Sequence, residues 1–159
     1  MTSNITIFKN IKDTDTPFYR PIEKILERIK DGSSKNLVKG IRSEKSKGER
    51  NELKKMLPAV CFSGTFNKRN DSSIIEHSGF ICLDFDGYEK QKQLLQDKEA
   101  ISKDKHVYSV FISPSGNGLK VLVKIPQEID NHVSYFNALE NHFDSEYFDK
   151  TCKNISRVC

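Results

Sequence analysis

Two carboxylates stand one residue apart in Asp84-Phe85-Asp86-Gly87, at the end of the apolar run Gly79–Phe85. Side chains alternate along a strand, so Asp84 and Asp86 fall on one face, and Leu83 and Phe85 on the other. Two carboxylates held side by side repel unless a cation sits between them. A hard divalent ion, magnesium or manganese, takes oxygen ligands of this kind. The pair therefore points to metal-assisted phosphoryl chemistry. A plain strand end running into an Asp-Gly turn is the alternative.

A second segment, Ser113-Pro114-Ser115-Gly116-Asn117-Gly118-Leu119-Lys120, joins small residues to a lysine. Glycines let backbone N–H groups approach an anion, and the lysine adds charge. The spacing to Lys120 is not that of a P-loop, and a β-rich run follows instead of a helix. A third segment places Asp149 ahead of Arg157. A carboxylate and a guanidinium there would complete a metal and triphosphate site. Asp144 and Glu146 compete for the carboxylate role. His77, His106, His132 and His142 are scattered and have no evident partners.

The elements that must position these groups follow from periodicity. Asn4–Phe8 alternates as a strand does. Ile22, Ile25, Leu26 and Ile29 share one helical face, so residues 21–30 read as a helix opened by Pro21 and ended by Gly32. Ser46-Lys47-Gly48-Glu49 has capping-box spacing and predicts a helix to about Leu57, stopped by Pro58. Residues 59–63 read as a strand, followed by a polar loop through Asn70–Ser73. After the Gly79–Phe85 strand, residues 88–103 predict a helix with Leu94 and Leu95 inward. Val107–Ile112 and Leu119–Ile125 predict a hairpin around the glycine-rich turn, and residues 130–143 a final helix. This is an α+β layout with a mainly antiparallel sheet.

The chain has 159 residues, which suits one compact domain. It has no apolar run long enough for a membrane span and no visible export signal, so a cytoplasmic protein with no membrane partner is expected. The four cysteines, Cys61, Cys82, Cys152 and Cys159, form no C-x-x-C pair and no zinc-finger spacing. Cys61 and Cys82 read as small buried hydrophobes. Net charge is +4, but Lys35–Lys55 alone carries eight basic residues against three acids. This concentration predicts a polyanionic partner touched by Lys39, Arg42, Lys45, Lys47 and Arg50. A solvated helix face is the plainer alternative.

Taken together, Leu57–Gly64, His77–Asp86, Ser113–Lys120 and Asp149–Arg157 resemble the VirE N-terminal domain family, a branch of the archaeo-eukaryotic primase (primase-polymerase) superfamily. The resemblance spans about residues 35–159. It implies an RRM-like palm, residues 58–159, joined to a small N-terminal α/β basic unit, residues 1–57. It also implies template-directed nucleotidyl transfer from nucleoside triphosphates onto a nucleic-acid template or primer. Asp84, Asp86 and Asp149 would hold magnesium or manganese and act in catalysis. Ser113, Ser115, Gly116, Gly118, Lys120 and Arg157 would bind the nucleotide. Lys120 stands where many relatives carry a His, which leaves open a module that binds nucleic acid or nucleotide without catalysis. A helicase in the same chain or operon is the implied partner. With the third carboxylate and Arg157 so near Cys159, the sequence reads as a domain cut short at its C-terminus. A haloacid-dehalogenase-type phosphatase, with Asp84 as nucleophile, is a further alternative.

Overall fold

The computed structural model describes residues 3–159. The chain runs β1 (Asn4–Phe8), β2 (Phe18–Pro21), α1 (Ile22–Lys30), α2 (Lys35–Ser43), α3 (Lys47–Lys54), β3 (Ala59–Cys61), β4 (Gly64–Phe66), β5 (Ile74–His77), β6 (Phe80–Phe85), α4 (Gln91–Ser102), β7 (Val107–Ile112), β8 (Leu119–Lys124) and α5 (His132–Phe143). The strands form three antiparallel sheets, ordered β2-β1-β3, β4-β5 and β6-β8-β7. The mixed α+β, antiparallel architecture is as the sequence pattern predicts. Among the described residues no helix is long and apolar enough to cross a membrane.

The β6-β8-β7 sheet organises the molecule because its two faces differ. Ile81, Leu83 and Phe85 of β6 point one way, with Leu119, Val121 and Val123 of β8. They are covered by Leu94 of α4 and by Phe136 and Leu139 of α5. Phe85 meets Phe143 and Phe148 edge-on, the favoured geometry for aromatic quadrupoles. The opposite face carries Phe80, Cys82 and Leu122, packed against Ile5, Ile22, Ile25, Val60 and Phe62 of the N-terminal sheet and α1. Farther along that same face, Asp84 pairs in register with Lys120, and the apolar packing gives way to charge.

Several elements depart from the sequence expectations. Helix α2 forms within the basic segment, where Ile41 is buried and Leu37 and Val38 are half-buried. Its apolar stripe is masked by Gly40 and dense charge, so the pattern reads as solvated. Strands β2, β4 and β5 have three or four residues each, too short for alternation to register. Leu94 is fully buried, but Leu95 turns outward and is 49% exposed. Successive helical residues lie on different faces, so only one of them reaches the core. Helix α3 stops at Lys54, short of Leu57; its Ser46 cap accepts from Glu49 N–H, but Ser46 N–H donates to Glu44 Oε1 and not to Glu49, so only half of the capping box forms. A strand starting at Ile155, which the residue types there also suggest, does not form as a regular element. Cys159 instead exchanges two backbone hydrogen bonds with Val60, fastening the chain end to β3.

Candidate functional site

Asp84 is 5% exposed, near the end of β6 on the sheet face turned toward the N-terminal elements. Its Oδ1 accepts from the Lys120 ammonium at 2.6 Å, and Arg157 Nη2 stands 3.7 Å from Oδ2. The Asp84–Lys120 pair follows directly from the β6–β8 register. Burial works against the charge of Lys120, but its neighbours, Cys159 and Asp84 foremost, outweigh it and raise its pKa.

Asp149 reaches the same place by strand geometry. Asp149 N–H donates to Asp84 O at 2.8 Å, and Asp86 N–H donates to Tyr147 O at 2.8 Å. Phe148 bridges Phe85, so residues 147–149 run antiparallel beside β6. Alternation then sends Phe148 into the apolar core and Asp149 to the charged face. A short turn follows. Thr151 N–H and Oγ1 both donate to Asp149 Oδ1, at 2.9 and 2.7 Å. The turn returns Cys152 Sγ to Asp149 Oδ2 at 2.9 Å and to Asp84 Oδ2 at 3.5 Å. Asp84, Asp149 and Cys152 thus offer ligand atoms within 4.8 Å of one another. Burial alone would raise Asp149, but hydrogen bonds from Cys152 and Thr151, with Arg157 nearby, lower it on balance. Burial and the two carboxylates push the Cys152 thiol well up.

Asp86 lies one strand repeat away, outside that three-atom cluster. Desolvation raises its carboxyl; Lys120 opposes the shift, and Asp84 and Asp149 add to it. A β-carbon on Gly118 would stand 2.4 Å from Asp86 Oδ1, 2.7 Å from Phe85 O and 3.2 Å from Ser113 Oγ. Only glycine allows this close approach. Ser113 is 4% exposed, and its hydroxyl has no hydrogen-bond partner among the described residues. An orphaned buried hydroxyl costs free energy unless something uses it.

The glycine-rich turn binds itself in part. Ser113 N–H donates to Gly118 O, and Gly116 N–H, from a residue at φ +82°, donates to Ser113 O. These two amides are therefore not offered to an anion. Arg42 of α2 seats on the turn instead, donating to Pro114 O at 3.3 Å and to Ser113 O at 3.2 Å. Lys54 of α3 lies close enough to interact with Asp86 and Lys120.

Of the residues singled out from the sequence, Asp84, Asp149, Lys120 and Arg157 come together, with Asp86, Ser113 and Gly118 adjoining. Ser115 and Gly116 lie on the turn. Lys39 and Lys47 are exposed on α2 and α3, Lys45 is exposed between the two helices, and Arg50 is half-buried. Sequence reasoning missed Cys152, and did not foresee that Arg42, itself exposed, also seats on the Ser113–Gly118 turn or that Lys54 lies near Asp86. The signal for Cys152 was the Asp149-x-x-Cys152 spacing, which a single turn folds onto itself. As for phosphatase chemistry, the carboxylate that would be the nucleophile, Asp84, is held by Lys120 on one oxygen and flanked by Cys152 and Arg157 on the other.

Residues 52–159 match the family model described as BT4734-like, N-terminal domain. This finding overturns the identification with the VirE N-terminal domain family, and the primase-polymerase superfamily membership that came with it is withdrawn. The motifs behind that resemblance are short, and an Asp-x-Asp strand beside a glycine-rich hairpin does not single out one family. No curated protein and no solved structure matches the chain.

Proposed function

The chain belongs to the BT4734-like N-terminal domain family, and on that premise we propose that it is a metal-dependent nucleotidyltransferase domain acting on nucleic acid. One observation carries the reading. Asp84 and Asp149, from two neighbouring extended segments, bring their carboxylates together around Cys152 Sγ, on a face that also bears Lys120 and Arg157. Carboxylates and cations close together suit a divalent ion and the polyphosphate it binds.

The residues present fit such an ion. The donor set is anionic, and next to it the Gly118 cradle leaves room for Asp86 Oδ1 near the buried Ser113 hydroxyl, which lacks a partner among the described residues. Asp84 and Asp149 would hold magnesium or manganese, with Asp86 adjoining. When bound, the ion supplies charge neutralisation on the phosphates and a lowered pKa for the attacking hydroxyl. The side chains do the rest. Lys120 holds Asp84 in place through Oδ1. Arg157 and Lys54 present positive charge to a triphosphate. Arg42 braces the Ser113–Gly118 turn against α2. Lys39, Lys45, Lys47 and Arg50 contact template phosphates, so nucleic-acid affinity falls steeply with salt. This reading uses the β6-β8-β7 sheet as a palm, places the protein in the cytoplasm, and expects a helicase as partner.

A second reading rests on the ion pair itself. Lys120 already neutralises Asp84 at 2.6 Å, which suits a module that binds nucleotide or nucleic acid without turnover. Labelled nucleoside triphosphates, a primed single-stranded template and manganese distinguish the two. Incorporation supports the transferase. Template binding with no incorporation under any divalent ion supports the module.

A further inference from the structure

We propose that Cys152 is a ligand of the bound metal, so that the site prefers a thiophilic divalent ion, such as cobalt, zinc or cadmium, over magnesium. The inference rests on the metal site assigned above and names the class of ion it takes. Three ligand atoms lie within 4.8 Å of one another, with Cys152 Sγ against both Asp84 Oδ2 and Asp149 Oδ2. Lys120 engages the other Asp84 oxygen and Thr151 the other Asp149 oxygen, so both carboxylates are fixed with their Oδ2 atoms toward the sulfur. A thiol shared between two carboxylates already places a proton where a cation would sit. On metal binding the S–H bond breaks, a metal–sulfur bond forms, and the proton leaves to solvent.

The charges agree with a divalent ion. Two carboxylates and a thiolate, offset by Lys120 and by Arg157 at 3.7 Å from Asp84 Oδ2, leave one negative charge for the metal to offset. The donor set decides the ion. Oxygen-only sites suit magnesium, whereas sulfur favours softer ions. Cys61, Cys82 and Cys159 lie outside the three-atom cluster and do not meet these carboxylates as Cys152 does.

Cobalt is the probe. The intact chain titrated with cobalt should show a near-ultraviolet thiolate-to-metal charge-transfer band. Cys152→Ser should lose the band and weaken cobalt binding by more than about tenfold, at least what losing an outer-shell partner costs. Cys82→Ser/Cys159→Ser should keep the band. Excess magnesium should fail to displace cobalt. Circular dichroism checks that each variant folds; should Cys152→Ser not fold, Cys152→Ala and Asp149→Asn take its place. Cobalt bound without the band, a band retained in Cys152→Ser, displacement by equimolar magnesium, or no cobalt bound to folded protein overturns the proposal. Binding without the band leaves an all-oxygen site, and with it the transferase reading, intact.

Discussion

The two faces of the β6-β8-β7 sheet are built from the same strands, yet they do different work. One face is Ile81, Leu83, Phe85, Leu119, Val121 and Val123, closed over by α4 and α5. The other changes along its length from Phe80, Cys82 and Leu122 to Asp84, Lys120 and the unpartnered Ser113. A period of two lets one sequence specify both faces without conflict. The first face stays apolar along its length, whereas the second is apolar only over Phe80, Cys82 and Leu122. The charged end is held by register, by one buried ion pair and by the 147–149 segment laid alongside. The consequence is that chemistry and stability are separable by mutation.

The largest expected effect is on the apolar face. Phe85→Ala removes a fully buried ring with two edge-on aromatic partners and should cost about 3–5 kcal/mol, read by urea unfolding. Metal affinity per folded molecule should stay the same. Equal losses of stability and of metal binding would show that the faces are not independent.

On the charged face, Lys120→Met leaves Asp84 buried without its nearest counter-charge. A loss of about 3 kcal/mol is expected, the low end for breaking a buried pair, because Arg157 remains 3.7 Å away. Asp84→Asn/Lys120→Met should recover most of it. A double-mutant cycle that shows simple additivity would mean the pair is not coupled.

The smallest effect concerns a buried polar pair held without charge. His77 Nδ1 accepts from Gly79 N–H, and its Nε2 meets His132 Nδ1 at 3.0 Å. Desolvation lowers both, and the proximity of His77 adds to the shift that takes His132 to about 4. A His whose folded pKa is depressed contributes stability above its unfolded value near 6.5, and that contribution is lost as pH falls toward 4. About 2 kcal/mol from His132 should be gone by pH 5. Unfolding curves at pH 8 and pH 5 should show this loss, and His132→Gln should flatten the difference. Equal slopes in the two proteins would refute it.

The contrast also explains what the sequence made legible. The Asp84–Asp86 alternation, the hairpin around Ser113–Gly118, helices α1 and α5 and the cap at Ser46 follow from local period and turn chemistry. The meeting of Asp149 with Asp84 has no local signature in its pairing, because it depends on a non-consecutive segment lying beside β6. Arg42 illustrates the same limit. Nothing local to it announces that the packing of α2 brings it, still exposed, onto the carbonyls of Ser113 and Pro114. The His77–His132 pair joins residues 55 positions apart and was equally invisible.

The most direct test compares the intact chain with Asp149→Asn in one nucleotide-incorporation assay with manganese, on a primed template and with matched thermal stability. Asp149 is half-buried at the surface of the site, so the variant should fold. Manganese-dependent incorporation by the intact chain, reduced to background in Asp149→Asn, is the predicted result. Equal incorporation by both, or none by the folded intact chain with any divalent ion, would contradict a metal-dependent transferase on the charged face.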